Sequence, residues 1–535
     1  MPFFIFFFCF YLKGYHFGIL YFDMQYEKSK SFVKSALLLS LGGLTAKLLG
    51  AFYRIPLTNI IGSYGMGLYQ LVFPPYILVL TLACFGMQSS ISKLTAENLQ
   101  LGNKEKTKSL FFAGLKIMCA TGVLGTLILT VFSNVIAKAQ GNVDTTVYFC
   151  AVAPSVLFVA MQVAFKGYFQ GRLQMMPSAL TTVIEQMIKL VTGLGSAYLF
   201  MPDVHMAVLG MVLGISISEF TSLAILIVWY FATKEKILLR RARWQTREYK
   251  ELFMLALPVA AGGFVMQLGQ VIDSAMVVNL VTVGNATSLY GLWSGPVNSM
   301  LGLPVSLASG IAITALPKMS KDNVSSQSQS NKTFSLAVGL SVAIALPCAI
   351  GLIILAKPIL SLLYGGLTSQ EIEISAHLLS LSGLAVLFQV VLVTLVSVLQ
   401  AYSKPYVSTS ILAFGVVVKA VVNLVLLPNP QINIYGSAIS ETICYLFQCV
   451  FAIIYTTTKL KLKGDFTECL LKPLVCTLAM TLVITAFCLF KSDFVGSNLG
   501  TVLLVGVSAV VYFGLLIVWG KKLHPVKELS NEPTV

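Results

Sequence analysis

Four basic side chains lie deep inside apolar segments of this sequence: Lys47, Arg54, Lys189 and Lys419. Lys47 and Arg54 are seven residues apart, so in a helix they share one face. A charge inside a membrane-spanning segment is costly to bury and normally faces a cavity or an opposite charge. Glu185 stands four residues before Lys189, in the order that favours an ion pair along a helix. The pattern therefore indicates either an anion-binding cavity or a structural ion pair.

The composition identifies the environment of these charges. The 535 residues are 57% hydrophobic and 11% charged, with a mean hydropathy of +0.85. A soluble protein carries roughly 25% charged residues, so this chain is expected to be an integral membrane protein. Apolar runs of about 20 residues favour helices over a barrel. The 10 cysteines and 4 histidines form no metal-binding spacing, so no metal site is predicted.

Apolar runs separated by turn or charge signals predict about fourteen membrane-spanning helices. Their predicted bounds are 33–61, 69–95, 108–138, 144–170, 177–201, 204–232, 251–283, 291–316, 332–362, 371–402, 405–427, 434–458, 471–490 and 496–520. Basic residues concentrate in the connecting segments on the side of the N-terminus, whereas the opposite loops hold only Lys138 and Lys491. The positive-inside rule then places both termini in the cytoplasm. This distribution accounts for most of the net charge of +15 without nucleic acid.

The chain matches itself when it is aligned with a shift of about 220 residues, as an internal repeat would. The matched pairs include 42–60 with 262–280, 68–75 with 289–296, Lys189 with Lys419, and Glu219 with Glu441. Spans 1–6 and 7–12 are therefore interpreted as two copies of a six-helix unit. Because six is even, both copies have the same orientation in the membrane. Such parallel repeats are typical of transporters, with the substrate site between the halves and alternating access.

The two copies differ in charge at matched positions. The first copy has Lys47, Tyr53 and Arg54 where the second has Gln267, Asp273 and Ser274. A cationic first half suits an anionic substrate, whereas a deep acid in the second half suits a coupling Na⁺ or H⁺. Lys419 is a cation in the second half, so the difference in charge between the two halves is a tendency and not a strict rule.

Three strings resemble a known family: "ISKLTAEN" (91–98), "FKGYFQGRLQMMPSALTTVIEQ" (165–186) and "LQAYSKPYVSTSILAFGVVVKAVVNLVLLP" (399–428). They are similar to the stage V sporulation protein B group of polysaccharide transporters, in the MOP superfamily. That superfamily also includes MATE drug exporters and MurJ-type lipid II flippases. The resemblance runs from about residue 30 to 520 and implies a V-shaped pair of six-helix lobes around a central cavity. It also implies export of an undecaprenyl-pyrophosphate-linked saccharide across the bacterial plasma membrane, for the cell wall, another polysaccharide or the spore cortex.

The resemblance also implies roles for individual residues. Lys47 and Arg54 match two basic positions of the first span that hold the pyrophosphate in MurJ-like proteins, although the first is Lys here instead of Arg. Asp273 resembles an acid of a Na⁺ site in some relatives, with Asn423 as its partner. The candidate substrate-binding residues are thus Lys47, Arg54, Glu185, Lys189 and Lys419, and the candidate coupling-ion residues are Asp273 and Asn423.

The expected fold class is an all-α polytopic membrane protein of two six-helix lobes with an appended helix pair. The predicted parts are a doubtful N-terminal extension (1–23), an N-lobe (24–232), a basic cytoplasmic linker (233–250), a C-lobe (251–458), and a last helix pair with a cytoplasmic tail (459–535). Residues 1–23 are apolar but lack the basic start and the cleavage site of a signal peptide. Translation is therefore expected to begin at Met24, with a peripheral helix as the alternative.

A MATE-type cation-coupled drug exporter would favour acids in the N-lobe, whereas this N-lobe has cations. Such an exporter is the main alternative function, and a non-transporting scaffold is a less favoured one. A membrane enzyme needs catalytic acids in long outer loops, and the outer loops are short, so the protein is not expected to be an enzyme. The expected partners are a lipid-linked saccharide and membrane lipids, with no nucleic acid, in a monomer. No cofactor is expected beyond a coupling ion.

Overall fold

The computed structural model describes residues 27–233, 246–310, 327–465, 467–490 and 497–521. Helices cover nearly all of these residues, and no strand occurs among them. A segment in hydrocarbon must bond its own backbone N–H and C=O groups, which favours helices in an apolar chain. The all-α fold class is confirmed. The doubtful N-terminal extension and most of the predicted linker lie outside the described residues.

The first part of the chain contains seven helices within the described residues. They are α1 Glu27–Cys84, α2 Met87–Gln100, α3 Lys104–Val131, α4 Ser133–Ala139, α5 Thr146–Gly171, α6 Met176–Phe200 and α7 Val204–Ala232. Helix α1 is broken at Gly62, whose φ of 69° and ψ of −175° form a combination that is essentially restricted to glycine. Two helices therefore meet end to end within α1, with the break at the end of the first predicted span.

The second part of the chain follows the gap at 234–245. Its helices are α8 Thr246–Leu280, α9 Ala286–Leu292, α10 over 298–310, α11 Gln327–Ile354, α12 Ala356–Leu363, α13 Ser369–Ala401, α14 Pro405–Leu426, α15 Tyr435–Thr458, α16 Lys472–Phe490 and α17 Asn498–Lys521. A π-helical turn, Trp293–Val297, joins α9 to α10 and contains Pro296, which has no N–H to donate. Thr368 and Glu371 form a capping box at the start of α13.

Eleven segments of the described chain are long and apolar enough to cross a membrane. One of them, Phe52–Gln100, contains parts of two predicted spans. Helix α6 is not one of the eleven, and its centre carries Glu185, Gln186 and Lys189. The protein is thus a multi-pass membrane protein, whereas the predicted number of fourteen spans stays a prediction.

The helices pack mainly within two groups, α1–α7 and α8–α17. The groups meet where α1 packs on α8, α9 and the π-helical turn, and where α2 and α3 pack on α8. A Cβ on Gly67 would lie 2.0 Å from the Thr287 carbonyl oxygen, so the two backbones touch there. The Gln70 amide donates to the Ser294 carbonyl at 3.4 Å. The two segments that self-alignment matched, 68–75 and 289–296, are thus in contact, as expected of a pseudo-two-fold arrangement. The repeat and the domain bounds themselves stay predictions.

Candidate functional site

The first charge cluster is formed by Lys189, Glu185, Glu219 and Gln162. The Lys189 Nζ atom lies 2.6 Å from Glu185 Oε1 and 2.8 Å from Glu219 Oε1. The Gln162 amide donates to Glu219 Oε2 at 2.9 Å. Burial of two carboxylates inside a membrane requires such compensation, because each lone charge is strongly disfavoured there. The ion pair expected from the spacing of Glu185 and Lys189 is therefore present, with Glu219 as an additional partner.

Three helices build this cluster. Helix α6 supplies Glu185 and Lys189 on one face, α7 supplies Glu219, and α5 supplies Gln162. Lys166, also on α5, acts electrostatically on both Glu185 and Glu219. Two cations thus face two carboxylates, and the cluster is close to electroneutral. The predicted role of Glu185 and Lys189 in binding substrate stays a prediction.

The second charge cluster is formed by Lys419, Asp273, Glu441 and Asn423. The Lys419 Nζ atom lies 2.9 Å from Asp273 Oδ2 and 2.9 Å from Glu441 Oε2. The Asn423 amide donates to Asp273 Oδ1 at 2.8 Å. Asp273 is on α8, Lys419 and Asn423 are on α14, and Glu441 is on α15. Three predicted site residues are therefore brought together, and Glu441 joins them.

A cavity of about 100 Å³ lies beside the second charge cluster. Asp273, Lys419, Asn423 and Glu441 all contribute to its wall, together with Gln448 of α15. Asn423 Oδ1 and Gln448 Oε1 are buried and have no hydrogen-bond partner in the described part of the chain. Buried oxygens of this kind can accept a donor or a cation, and Gln162 Oε1 of the first charge cluster is another.

Arg54 lies in the first half of α1, five residues before Asn59. Its guanidinium is partly buried and makes no hydrogen bond or ion pair with the described residues. It acts electrostatically on Tyr290 and Tyr364, which belong to the second part of the chain. Arg54 therefore lies close to the interface of the two helix groups. The side chain of Lys47, its predicted companion, lies outside the described residues.

Two belts of contacts join the helix groups at opposite ends of α3, a helix of 28 residues and roughly 42 Å. Near its start, the Lys106 ammonium pairs with Glu251 at 3.1 Å. Ser109 donates to Glu248 there. These contacts form the first belt, which the ring stacking of Phe85 on Phe253 completes.

The second belt lies beyond the end of α3. The Asn142 amide donates to Thr287 Oγ1 at 2.9 Å. The Asn59 amide donates to the Leu363 carbonyl at 2.9 Å and its oxygen accepts from the Gly366 N–H at 3.1 Å. Both ends of the interface are therefore bridged in this structure.

A family model described as polysaccharide biosynthesis protein matches residues 32–323, just over half of the chain. The chain belongs to the polysaccharide biosynthesis protein family. Among curated relatives, stage V sporulation protein B of Bacillus subtilis (strain 168) is 26% identical over 431 residues, covering 77% of this chain and 80% of the relative. Lipid II flippase MurJ of the same organism is 25% identical over 455 residues, covering 80% and 82%. The resemblance inferred from the three sequence strings is thereby confirmed.

Solved structures share the fold of this family member. The inward closed conformation of lipid II flippase MurJ matches with a TM-score of 0.73 at 16% identity, covering 91% of this chain and 99% of that one. An inward-facing MATE multidrug resistance transporter of the MOP superfamily matches with a TM-score of 0.69 at 13% identity, covering 78% and 94%. These likenesses support the fold alone.

Glu219 and Glu441 were not among the site residues predicted from the sequence. Each carboxylate lies within 3 Å of a lysine that was named, Glu219 at 2.8 Å and Glu441 at 2.9 Å. A signal was available, because self-alignment pairs Glu219 with Glu441 as it pairs Lys189 with Lys419. A lysine and a glutamate that recur together in both copies are candidates for one contact.

Proposed function

We propose that this protein moves a lipid-linked saccharide with a diphosphate linkage, of the undecaprenyl-pyrophosphate type, across the bacterial plasma membrane. Both termini lie in the cytoplasm, and the protein acts as a transporter and not as an enzyme. The saccharide is a precursor of the cell wall or of another polysaccharide, including that of the spore cortex. The names of the relatives support this substrate class, since one is a lipid II flippase and one a sporulation protein.

The observation that carries the proposal is the unpaired guanidinium of Arg54. Lys189 and Lys419 each contact two carboxylates, whereas Arg54 has no acidic partner within the described residues. A charge in a membrane interior is costly unless a partner compensates it. A diphosphate supplies that partner, and a guanidinium binds phosphate oxygens through two parallel N–H donors. In this proposal Lys47, seven residues before Arg54 in the sequence, adds a second positive charge.

Alternating access follows from the two contact belts. Neither belt is covalent. The first belt consists of an ion pair, a hydrogen bond and a ring contact. The second consists of hydrogen bonds, which also include Ser274 to Gln140 and Asn279 to the Ala139 carbonyl. Opening one belt while the other holds exposes the interface to one side of the membrane at a time, which is how repeat-based transporters rock around a fixed site. Arg54 lies five residues, about 7.5 Å along the helix, from Asn59 of the second belt. The closed second belt thus separates a ligand at Arg54 from the side of the membrane on which that belt lies.

Coupling of transport to a proton is proposed at the second charge cluster, through Asp273. The cavity and the unpartnered oxygens of Asn423 and Gln448 lie there and support this placement. Asp273 also contacts residues of a different helix, α14. A change in its charge therefore changes how α8 packs on α14.

The test is a flipping assay with the full chain reconstituted in lipid vesicles. The probe is a fluorescent undecaprenyl-diphosphate saccharide, and the fraction reached by a membrane-impermeant quencher reports its leaflet. The control probes are the same lipid with a monophosphate and a fluorescent organic cation. We expect protein-dependent flipping of the diphosphate lipid, slower flipping of the monophosphate and no movement of the cation. Transport of the cation without the lipid would favour a drug exporter, and movement of no probe would favour a scaffold; either result contradicts the proposal.

A further inference from the structure

We propose that the Lys419 ammonium is a built-in cation at the position where Na⁺ would otherwise bind, so that the second charge cluster takes no Na⁺. The same arrangement implies that removing this ammonium creates a Na⁺ site. Na⁺ binding at this cluster does not depend on which substrate the protein moves.

The geometry places the ammonium where the carboxylates converge. Asp273 Oδ2 on α8 and Glu441 Oε2 on α15 are both 2.9 Å from Lys419 Nζ, although the two acids are far apart in sequence. Small hard cations such as Ca²⁺ require their oxygen ligands at roughly 2.3–2.6 Å, and Na⁺ has a similar radius. An ion cannot contact both oxygens while the lysine nitrogen lies between them. The intact cluster therefore does not fit a bound Na⁺.

The remaining groups around the cavity are nevertheless those that a hard cation uses. Asn423 Oδ1 and Gln448 Oε1 face no donor among the described residues, and both residues line the cavity. Their orientation is set by their amide nitrogens, which donate to Asp273 Oδ1 at 2.8 Å and to the Leu412 carbonyl at 2.9 Å. Asp273, Glu441, Asn423 and Gln448 thus offer only oxygen atoms as ligands around the cavity, a set that suits Na⁺ and not a transition metal. Without the ammonium, the cluster has the ligands of a cation site.

Charge balance favours the same assignment. Lys419 with Asp273 and Glu441 carries a net charge of −1, and Arg54 lies across the interface within electrostatic range of Tyr290, on which Asp273 and Lys419 also act. A Na⁺ added to the intact cluster would stand beside an ammonium and be repelled by it. Neutralising Lys419 removes one positive charge from a low-dielectric site, and Na⁺ restores the original balance.

The first charge cluster provides a matched control. Lys189 also lies between two carboxylates, at 2.6 and 2.8 Å. However, Lys166 acts on both Glu185 and Glu219 and remains there after Lys189 is neutralised. A second cation is thus already in place in the first cluster. Lys189→Gln is therefore not expected to create a dependence on Na⁺.

The experiment measures thermal unfolding of the purified full chain in detergent, in NaCl and in choline chloride of equal ionic strength. Wild type, Asp273→Asn, Lys419→Gln, Lys419→Ala, Lys189→Gln and the double variant Lys419→Gln/Asp273→Asn are compared. We expect wild type and Lys189→Gln to have the same Tm in both salts. Lys419→Gln and Lys419→Ala should gain a saturable rise in Tm of a few degrees in NaCl, as a ligand that binds the folded state produces. The double variant should lose that rise.

Three outcomes would overturn the inference. A saturable Na⁺ response of the wild type that Asp273→Asn removes would mean that the intact cluster binds the ion. A lack of any Na⁺ response in both Lys419 variants, including failure to fold in either salt, would mean that Na⁺ cannot replace the ammonium. A Na⁺ response of Lys189→Gln as large as that of Lys419→Gln would mean that the effect is not specific to the second cluster.

Discussion

The first charge cluster, around Lys189, and the second, around Lys419, use the same combination of one lysine and two carboxylates. In the first, Glu185 comes from the same helix as the lysine, so the ion pairs tie α6 to α7. In the second, Asp273 comes from α8, so the ion pairs tie three helices together. A contact within one helix survives movement of its neighbours, whereas a contact among three helices changes when any of them moves.

The position matched to Asp273 in the first half is Tyr53. Its ring lies against Gly193 of α6, where an added Cβ would approach the Tyr53 hydroxyl to 1.9 Å. The first half therefore fills with an aromatic side chain the position where the second half places an acid beside a cavity. We therefore propose that the first cluster braces the fold and that the second responds to a proton.

The largest expected effect comes from breaking the first cluster. Lys189→Met leaves Glu185 and Glu219 with Lys166 as the remaining cation nearby, and breaking a buried ion pair costs about 3–5 kcal/mol. We expect a large fall in Tm for the purified protein, of similar size in NaCl and choline chloride. A Tm within about one degree of wild type would show that the first cluster is not a brace.

A smaller but functional effect is expected from Asp273→Asn. The substitution keeps the side-chain shape and leaves Lys419 paired with Glu441 at 2.9 Å, so the fold should persist. If the second cluster couples a proton to transport, the flipping rate should fall. The rate should also lose its dependence on pH. Unchanged flipping at every pH and Na⁺ concentration would refute coupling at Asp273.

The smallest difference is expected between two amides, Gln162 and Asn423, which each donate to an acid of their cluster at 2.9 and 2.8 Å. A hydrogen bond to a charged group contributes about 1.5–3 kcal/mol. Gln162→Leu should lower stability by that amount. Asn423→Leu should cost less, because water in the adjoining cavity can solvate Asp273. Equal losses of Tm in the two variants would show that water in the cavity does not solvate the second cluster better than the first.

The extent to which sequence predicted this molecule depends on the range of each contact. Apolar runs predict the helices, and the pair of Glu185 and Lys189 follows from a spacing of four residues along one helix. The contact of Lys419 with Asp273 joins residues 146 positions apart, and no local pattern encodes such a distance. The match between the two copies supplies part of this long-range information, because it relates Glu441 to Glu219. The belts formed by Asn59 and Lys106 depend on loop and helix positions that periodicity does not determine.

The measurement that tests the central claim most directly is flipping of the diphosphate-linked probe by Arg54→Ala, with Tm measured on the same preparation. Removing one partner of a desolvated charge pair costs about 2–5 kcal/mol, roughly 30-fold or more in affinity. Arg54 has no acidic partner to lose in the described part of the chain, so Tm should stay at the wild-type value while flipping is abolished. Arg54→Lys should recover part of the activity, because it restores the charge but not the paired donors. A lowered Tm together with normal flipping by the remaining folded protein would contradict the account and make Arg54 a structural residue.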